Sequence, residues 1–277
     1  MPEAPEPDTT AFTITPDNPH LARPPLLHGA PLDRAGLVVY AVHGRGQGPA
    51  FMGEQADRVG LPGVAWVVPG ADADTWYPRG FLAPLEENQP RLGQALETVR
   101  THLADLERMG WAARDVVLFG FSQGACLLSE YLLREQPSCA GAFLHTGGHL
   151  GPVAKPWSAR PESGLTGTEV VLLCAEEDEF VPLVRAERTA GALASLGARI
   201  ELTTYDDPLH HLNEDSVVRL RRMLRTRLLE RAQEVAEGAH PGGEPSLPVT
   251  TARTVTTVRT TQLTTRTHTS KSRHTRH

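Results

Sequence analysis

The sequence predicts an α/β fold on a mainly parallel central sheet. Short, nearly unbroken apolar runs alternate along the chain with longer stretches of helical periodicity, as in repeated βαβ units. The 277 residues, 40% of them apolar, are enough for one large core but not for two full domains. Strands are expected at residues 37–42, 64–68, 116–119, 142–145 and 170–174, where unbroken apolar runs suit strands covered on both faces. Residues 199–205 alternate and read as a strand nearer the edge. Helices fit residues 50–60, 88–108, 123–135, 183–196 and 214–236, with apolar residues three and four apart. The connection from Pro69 to Asn88 is long for such a fold, and long ordered loops often serve binding. No internal repeat is visible.

Composition sets the boundaries of the folded unit. Residues 1–8 are acidic and proline-rich, and residues 239–277 turn into Gly, Pro, Thr and Arg without periodicity. Neither segment can bury enough surface to offset the entropy of ordering it, so both are expected to be disordered around a domain at 9–238. From Ser246 onward the chain carries Arg253, Arg259, Arg266, Lys271, Arg273 and Arg276 and no acid. Removing those six cations from the formal charge of −6 leaves −12 for residues 1–245. An acidic body argues against a nucleic-acid-binding domain, because phosphates need clustered cations. The sequence contains no basic start followed by an apolar run and no stretch long enough to span a bilayer. Cys126, Cys139 and Cys174 form no CxxC pair and suit a reducing compartment, so the expected location is cytoplasmic.

The chemistry starts at Gly120-Phe121-Ser122-Gln123-Gly124, between the apolar run ending at Phe119 and a helical stretch. A GxSxG in that strand-turn-helix setting is a nucleophile elbow: the serine takes a strained backbone position, and glycines on either side allow the tight turn. This makes the expected architecture an α/β-hydrolase fold, with the following helix pointing its N-terminus at any oxyanion. A serine hydroxyl needs a base, and the base an orienting carboxylate, in the chain order serine, acid, histidine. Four carboxylates compete in Glu176-Glu177-Asp178-Glu179, of which Asp178 is best placed before Pro182 opens the next helix. His210 and His211 are both candidate bases from spacing alone. An oxyanion hole takes one amide from the residue after the nucleophile, here Gln123, and a second from a glycine-bearing turn after an early strand. His43-Gly44-Arg45-Gly46 is such a turn, and Arg45 is its expected donor. The turn lacks the spacing of a phosphate-binding loop.

Together these segments resemble the phospholipase/carboxylesterase family of α/β hydrolases, which includes acyl-protein thioesterases. The turn at His43 to Gly46, the GFSQG elbow, Asp178-Glu179-Phe180-Val181-Pro182 and the His210 loop carry the likeness across residues 36–225. Thr75-Trp76-Tyr77-Pro78 with Phe81-Leu82-Ala83-Pro84 resembles a bacterial branch. The resemblance implies Ser122 as nucleophile, Asp178 as acid and His210, over His211, as base. Ala175, Asp207 and Leu209 depart from the family's pattern of small residues around the acid and base loops.

The implied reaction is hydrolysis of a small-molecule ester or thioester, with no cofactor and no metal. Trp76, Tyr77 and Phe81 on the long loop, with Phe51 after the oxyanion turn, are candidate walls for an acyl pocket. Two other readings compete: a hydrolase-like binding protein with an idle triad, and a metal hydrolase using His43, His145, His149, His210 and His211, of which His145 and His149 have HxxxH spacing. The glycines at 147 and 148 read as a turn, which disfavours helical ligand geometry. An exposed edge strand or flat helix pair would be a route to a homodimer.

Overall fold

The computed structural model describes residues 11–238 apart from 154, 162, 207 and 208. The segments expected to be disordered, 1–8 and 239–277, lie outside the described residues. The chain forms β1 (Leu26–Gly29), β2 (Leu37–Val42), α1 (Pro49–Val59), β3 (Val64–Val68), α2 (Arg91–Arg108) and β4 (Val116–Phe121). It continues with α3 (Gln123–Glu135), β5 (Gly141–His145), β6 (Glu169–Ala175), α4 (Leu183–Ser195), β7 (Arg199–Tyr205) and α5 (Glu214–Gly238). The seven strands make one sheet in the order β1-β3-β2-β4-β5-β6-β7. Only β1 runs antiparallel, against β3; the pairs β2–β3, β2–β4, β4–β5, β5–β6 and β6–β7 are parallel.

Alternation along each strand divides the core between the two faces. From β2, Val38, Tyr40 and Val42 point to the side packed by α2, α3 and α4, where Leu96, Val99, Leu127, Leu128 and Leu193 fill the layer. Leu37, Val39 and Ala41 point to the side of α1 and α5, against Met52, Val59, Leu220 and Leu224. Such two-sided burial is why these strands are apolar at every position. Before the sheet, Phe12 and Leu21 are buried, and Asp105 of α2 accepts from the Thr13 amide at 2.7 Å and its hydroxyl at 2.9 Å.

The strand order also sets where a site can lie. From β2 the chain passes to β3 on one side and then crosses to β4 on the other, so the order of strand addition reverses between the parallel strands β2 and β4. In open α/β sheets the crevice beyond the carboxyl ends of two such strands is the place for a ligand. The turn after β2 and the elbow after β4 both open there.

Candidate active site

Ser122 stands between the last residue of β4 and the first of α3, at φ 52° and ψ −118°. That backbone is costly for a side chain bearing a Cβ and persists only where the surroundings force it. They do so on every side. A Cβ on Gly124 would lie 2.1 Å from the Val42 carbonyl oxygen, and one on Gly120 would lie 2.7 Å from Ala125 Cα. The Ser122 amide donates to the His145 carbonyl of β5 at 2.9 Å. The motif is glycine-serine-glycine because α3 meets β4 at Gly120 and β2 at Gly124 at backbone contact distance.

Two loops bring partners to the serine. Asp178 follows β6, and its side chain is fully buried. Its Oδ1 accepts from the Phe180 amide at 2.9 Å and the Val181 amide at 2.8 Å, which holds the carboxylate in one orientation. Its Oδ2 accepts from His210 Nδ1 at 2.8 Å. That bond fixes the imidazole proton on Nδ1 and leaves the Nε2 lone pair facing Ser122 Oγ at 2.7 Å. Of the four carboxylates, Asp178 is thus the one that meets His210, while Glu176, Glu177 and Glu179 are exposed. His211 is exposed.

The turn after β2 lies against the serine, since a Cβ on Gly44 would lie 3.1 Å from Ser122 Cβ. His43 below it is buried and neutral: Nδ1 donates to the Gly44 carbonyl at 2.8 Å and Nε2 accepts from the Ala71 amide at 3.1 Å. Desolvation lowers its pKa. Gln123 occupies the first position of α3, where a helix has no intrahelical acceptor for the amide. Its side chain accepts from the Trp76 amide at 3.0 Å and donates to the Tyr77 carbonyl at 2.9 Å. The Arg45 guanidinium donates to the carbonyls of Tyr77, Pro78 and Arg79 at 2.9, 3.0 and 2.6 Å.

The aromatic residues expected to wall a pocket divide into two groups. Trp76 and Tyr77 have 0% and 1% of their surface exposed, so they offer no wall to a ligand. Trp76 packs between the rings of His20 and His43, with centroids 5.3 and 5.0 Å away, and its indole donates to the His43 carbonyl. Phe51 and Phe81 are partly exposed. Phe51 lies 5.5 Å from the Phe121 ring, which lies 5.4 Å from that of His210. The residue missed in the sequence is Phe180, 59% exposed and edge-on to the His210 ring at 4.8 Å. Leu209 and Val184 are exposed close by along the chain.

His145 and His149, the HxxxH pair, have separate hydrogen-bonding roles. His145 bonds Ser216 Oγ through Nε2 at 2.7 Å and Thr146 Oγ1 through Nδ1 at 2.6 Å, and burial pushes its pKa down to about 3. His149 bonds Thr189 Oγ1 through Nδ1 at 3.0 Å and accepts from Arg185 through Nε2 at 2.6 Å. Burial first, then the Arg185 charge, lower its pKa to about 4. Among the described residues, no group of three or more His, Cys, Asp or Glu could hold a metal ion, and no helix is long and apolar enough to cross a membrane. Cys126, one helical turn below Ser122, is buried, and desolvation raises its thiol to about 12.

A sheet in this order, with a serine elbow at the switch point, makes the protein a hydrolase of the α/β-hydrolase class. Residues 30–228 match the phospholipase/carboxylesterase family, and the chain belongs to it. It is 29% identical to a phospholipase/carboxylesterase from Dyadobacter fermentans, with a TM-score of 0.67 over 72% of this chain and 95% of that one. The fold is also that of esterase PE8, at 21% identity and TM-score 0.60, over 73% and 97% of the two chains. A carboxylesterase from Mesorhizobium loti shares it at 16% identity and TM-score 0.58, over 77% and 98%. No curated protein sequence matches the chain.

Proposed function

We propose that the protein is a serine esterase or thioesterase that works through an acyl-enzyme on Ser122. One observation carries this reading: Ser122 Oγ, the His210 imidazole and the Asp178 carboxylate form a single line with contacts of 2.7 and 2.8 Å. In the first half-reaction Oγ bonds to the substrate's carbonyl carbon as His210 Nε2 takes its proton. Asp178 holds the imidazole in the receptive tautomer and stabilises the cation that forms. The carbonyl oxygen becomes an anion, and the amides of Arg45 and Gln123 at the head of α3 receive it. When the tetrahedral adduct collapses, His210 returns the proton to the departing alkoxide or thiolate. Water then repeats the sequence on the acyl-serine, releasing the acid and restoring Oγ–H.

The substrate is a small-molecule ester or thioester, and Phe51, Phe81, Phe180 and Leu209 are the apolar surfaces near the reacting atoms. A fluorophosphonate probe tests the reading. Labelling of the wild-type chain that disappears in Ser122→Ala is expected. An unlabelled wild-type chain with no turnover of p-nitrophenyl esters would instead make the protein a binding module with an idle triad.

A further inference from the structure

The two oxyanion amides sit on elements with no covalent link, one in an exposed glycine-rich turn after β2 and the other at the start of α3. Gly46 in that turn has φ 71° and Arg45 is exposed; the Gly44 amide donates to Gln47 Oε1 at 2.9 Å and the Gly46 amide to the Asp74 carbonyl at 2.8 Å, and neither bond links the turn to α3. Yet donors stabilise an oxyanion well only when their spacing is set before the charge appears.

Both donors hold the same third body. The Arg45 guanidinium donates to the carbonyls of Tyr77, Pro78 and Arg79, while the Gln123 carboxamide bonds the Trp76 amide and the Tyr77 carbonyl. The Tyr77 carbonyl oxygen takes a bond from each, so the two side chains meet on one atom. That stretch is itself anchored. The Trp76 indole donates to the His43 carbonyl at 2.9 Å, and buried Asn88 accepts from the Arg79 amide at 2.8 Å.

Resting on the reading of Ser122 as nucleophile, we propose that the side chains of Arg45 and Gln123 are positioning residues. By gripping residues 76–79 from two sides, they set the distance between their own main-chain amides. The guanidinium then has a structural use and is not a receptor for an anionic leaving group. Three carbonyls in an arc suit the planar fork of arginine, whereas the single ammonium of lysine cannot reach them together. In Gln123→Glu an oxygen replaces the Nε2 donor facing the Tyr77 carbonyl, while the bond from the Trp76 amide survives.

The test uses the full chain with Arg45→Met, Arg45→Lys and Gln123→Glu. Turnover of p-nitrophenyl butyrate is measured per fluorophosphonate-reactive site, so that unfolded protein does not count. The second readout is inhibition by phenylboronic acid, whose serine adduct is a tetrahedral anion. Each variant is expected to lose about 10- to 100-fold in kcat, with KM held within about twofold. The boronic acid should weaken in parallel with kcat. Wild-type turnover in Arg45→Lys, or a fall in kcat with boronic-acid affinity unchanged, would overturn the proposal. So would a rise in KM confined to substrates with anionic leaving groups. Activity surviving in Ser122→Ala would instead sink the underlying assignment of the nucleophile. If Arg45→Met fails to fold, Gln123→Glu alone decides the matter.

Discussion

The two sides of Ser122 are built differently. On the oxyanion side, buried residues hold backbone: His43, Trp76 and Gln123 make hydrogen bonds to main-chain groups, and Gly124 lets β2 and α3 touch. On the acid–base side, the Asp178 side chain is sealed but its neighbours face outward, with Phe180 59% and Leu209 63% exposed. The contrast teaches a division of labour. Under the proposed function, one side is a rigid frame for the charge common to every acyl transfer, and the other presents apolar surface where substrates differ.

If that division holds, substitutions should separate accordingly. The largest loss is expected where the two sides join. Asp178→Asn and His210→Ala should each lower kcat/KM for a p-nitrophenyl ester by about three to four orders of magnitude. His211→Ala should stay close to wild type, and the reverse pattern would reassign the base. Next comes Gly124→Ala, in which the new methyl meets the backbone of Val42 and cannot be accommodated by rotating a side chain. It should cost about 3 kcal/mol or more of stability in urea unfolding. A wild-type midpoint there would show that the frame is softer than its contacts imply.

A third effect concerns pH. Burial holds His20, His102 and His145 neutral, lowering them from 6.5 to about 4, about 4 and about 3. In the unfolded chain these histidines take up protons near pH 6.5, so the unfolded state binds more protons as pH falls from there towards 4. Their contribution is complete above pH 6.5 and is lost on acidification, at about 1.4 kcal/mol per pH unit for each histidine in that window. Urea midpoints at pH 7.5, 6, 5 and 4 check this, and a flat profile down to pH 4 would refute it. The smallest expected change is at the rim. Phe180→Ala should raise KM for a long-chain ester by about fivefold at nearly constant kcat, since only part of a ring's burial is at stake. A drop in kcat instead would mean that Phe180 steadies the His210 ring.

Much of this architecture was legible because helix-covered strands must be apolar throughout. The five strands expected from such runs are all present, with β4 two residues longer, to Phe121, and so is the sixth, expected from the alternation at 199–205. β1 was missed: Leu26–Gly29 is four residues long, lies at the sheet edge and has no buried face, so it leaves no pattern. α2 starts at Arg91 and not at 88, because Leu85–Asn88 makes a separate 3-10 turn. At the site, chain order and loop position led to Ser122, Asp178 and the pair His210 and His211, and the family resemblance chose His210; the structure brings the side chains of Ser122, Asp178 and His210 together. The readings of Trp76 and Tyr77 as pocket walls were corrected, because an aromatic residue in a long loop looks the same whether it packs inward or faces solvent. Only tertiary contacts distinguish the two. The side-chain bonds of Arg45 and Gln123 to residues 76–79 lay beyond any local signal, since their partners are backbone groups more than thirty residues away.

The sealed thiol beneath the serine bears on labelling chemistry. Burial holds Cys126 and Cys174 each at about 12, so at neutral pH neither presents the thiolate that attacks maleimides or iodoacetamide, whereas Cys139 is partly exposed. A single cysteine installed on the outer surface of α5, as in Ala232→Cys, would then be the preferred attachment point for a dye or spin label. Conjugation would need only Cys139 replaced first, with Cys126 and Cys174 left in place.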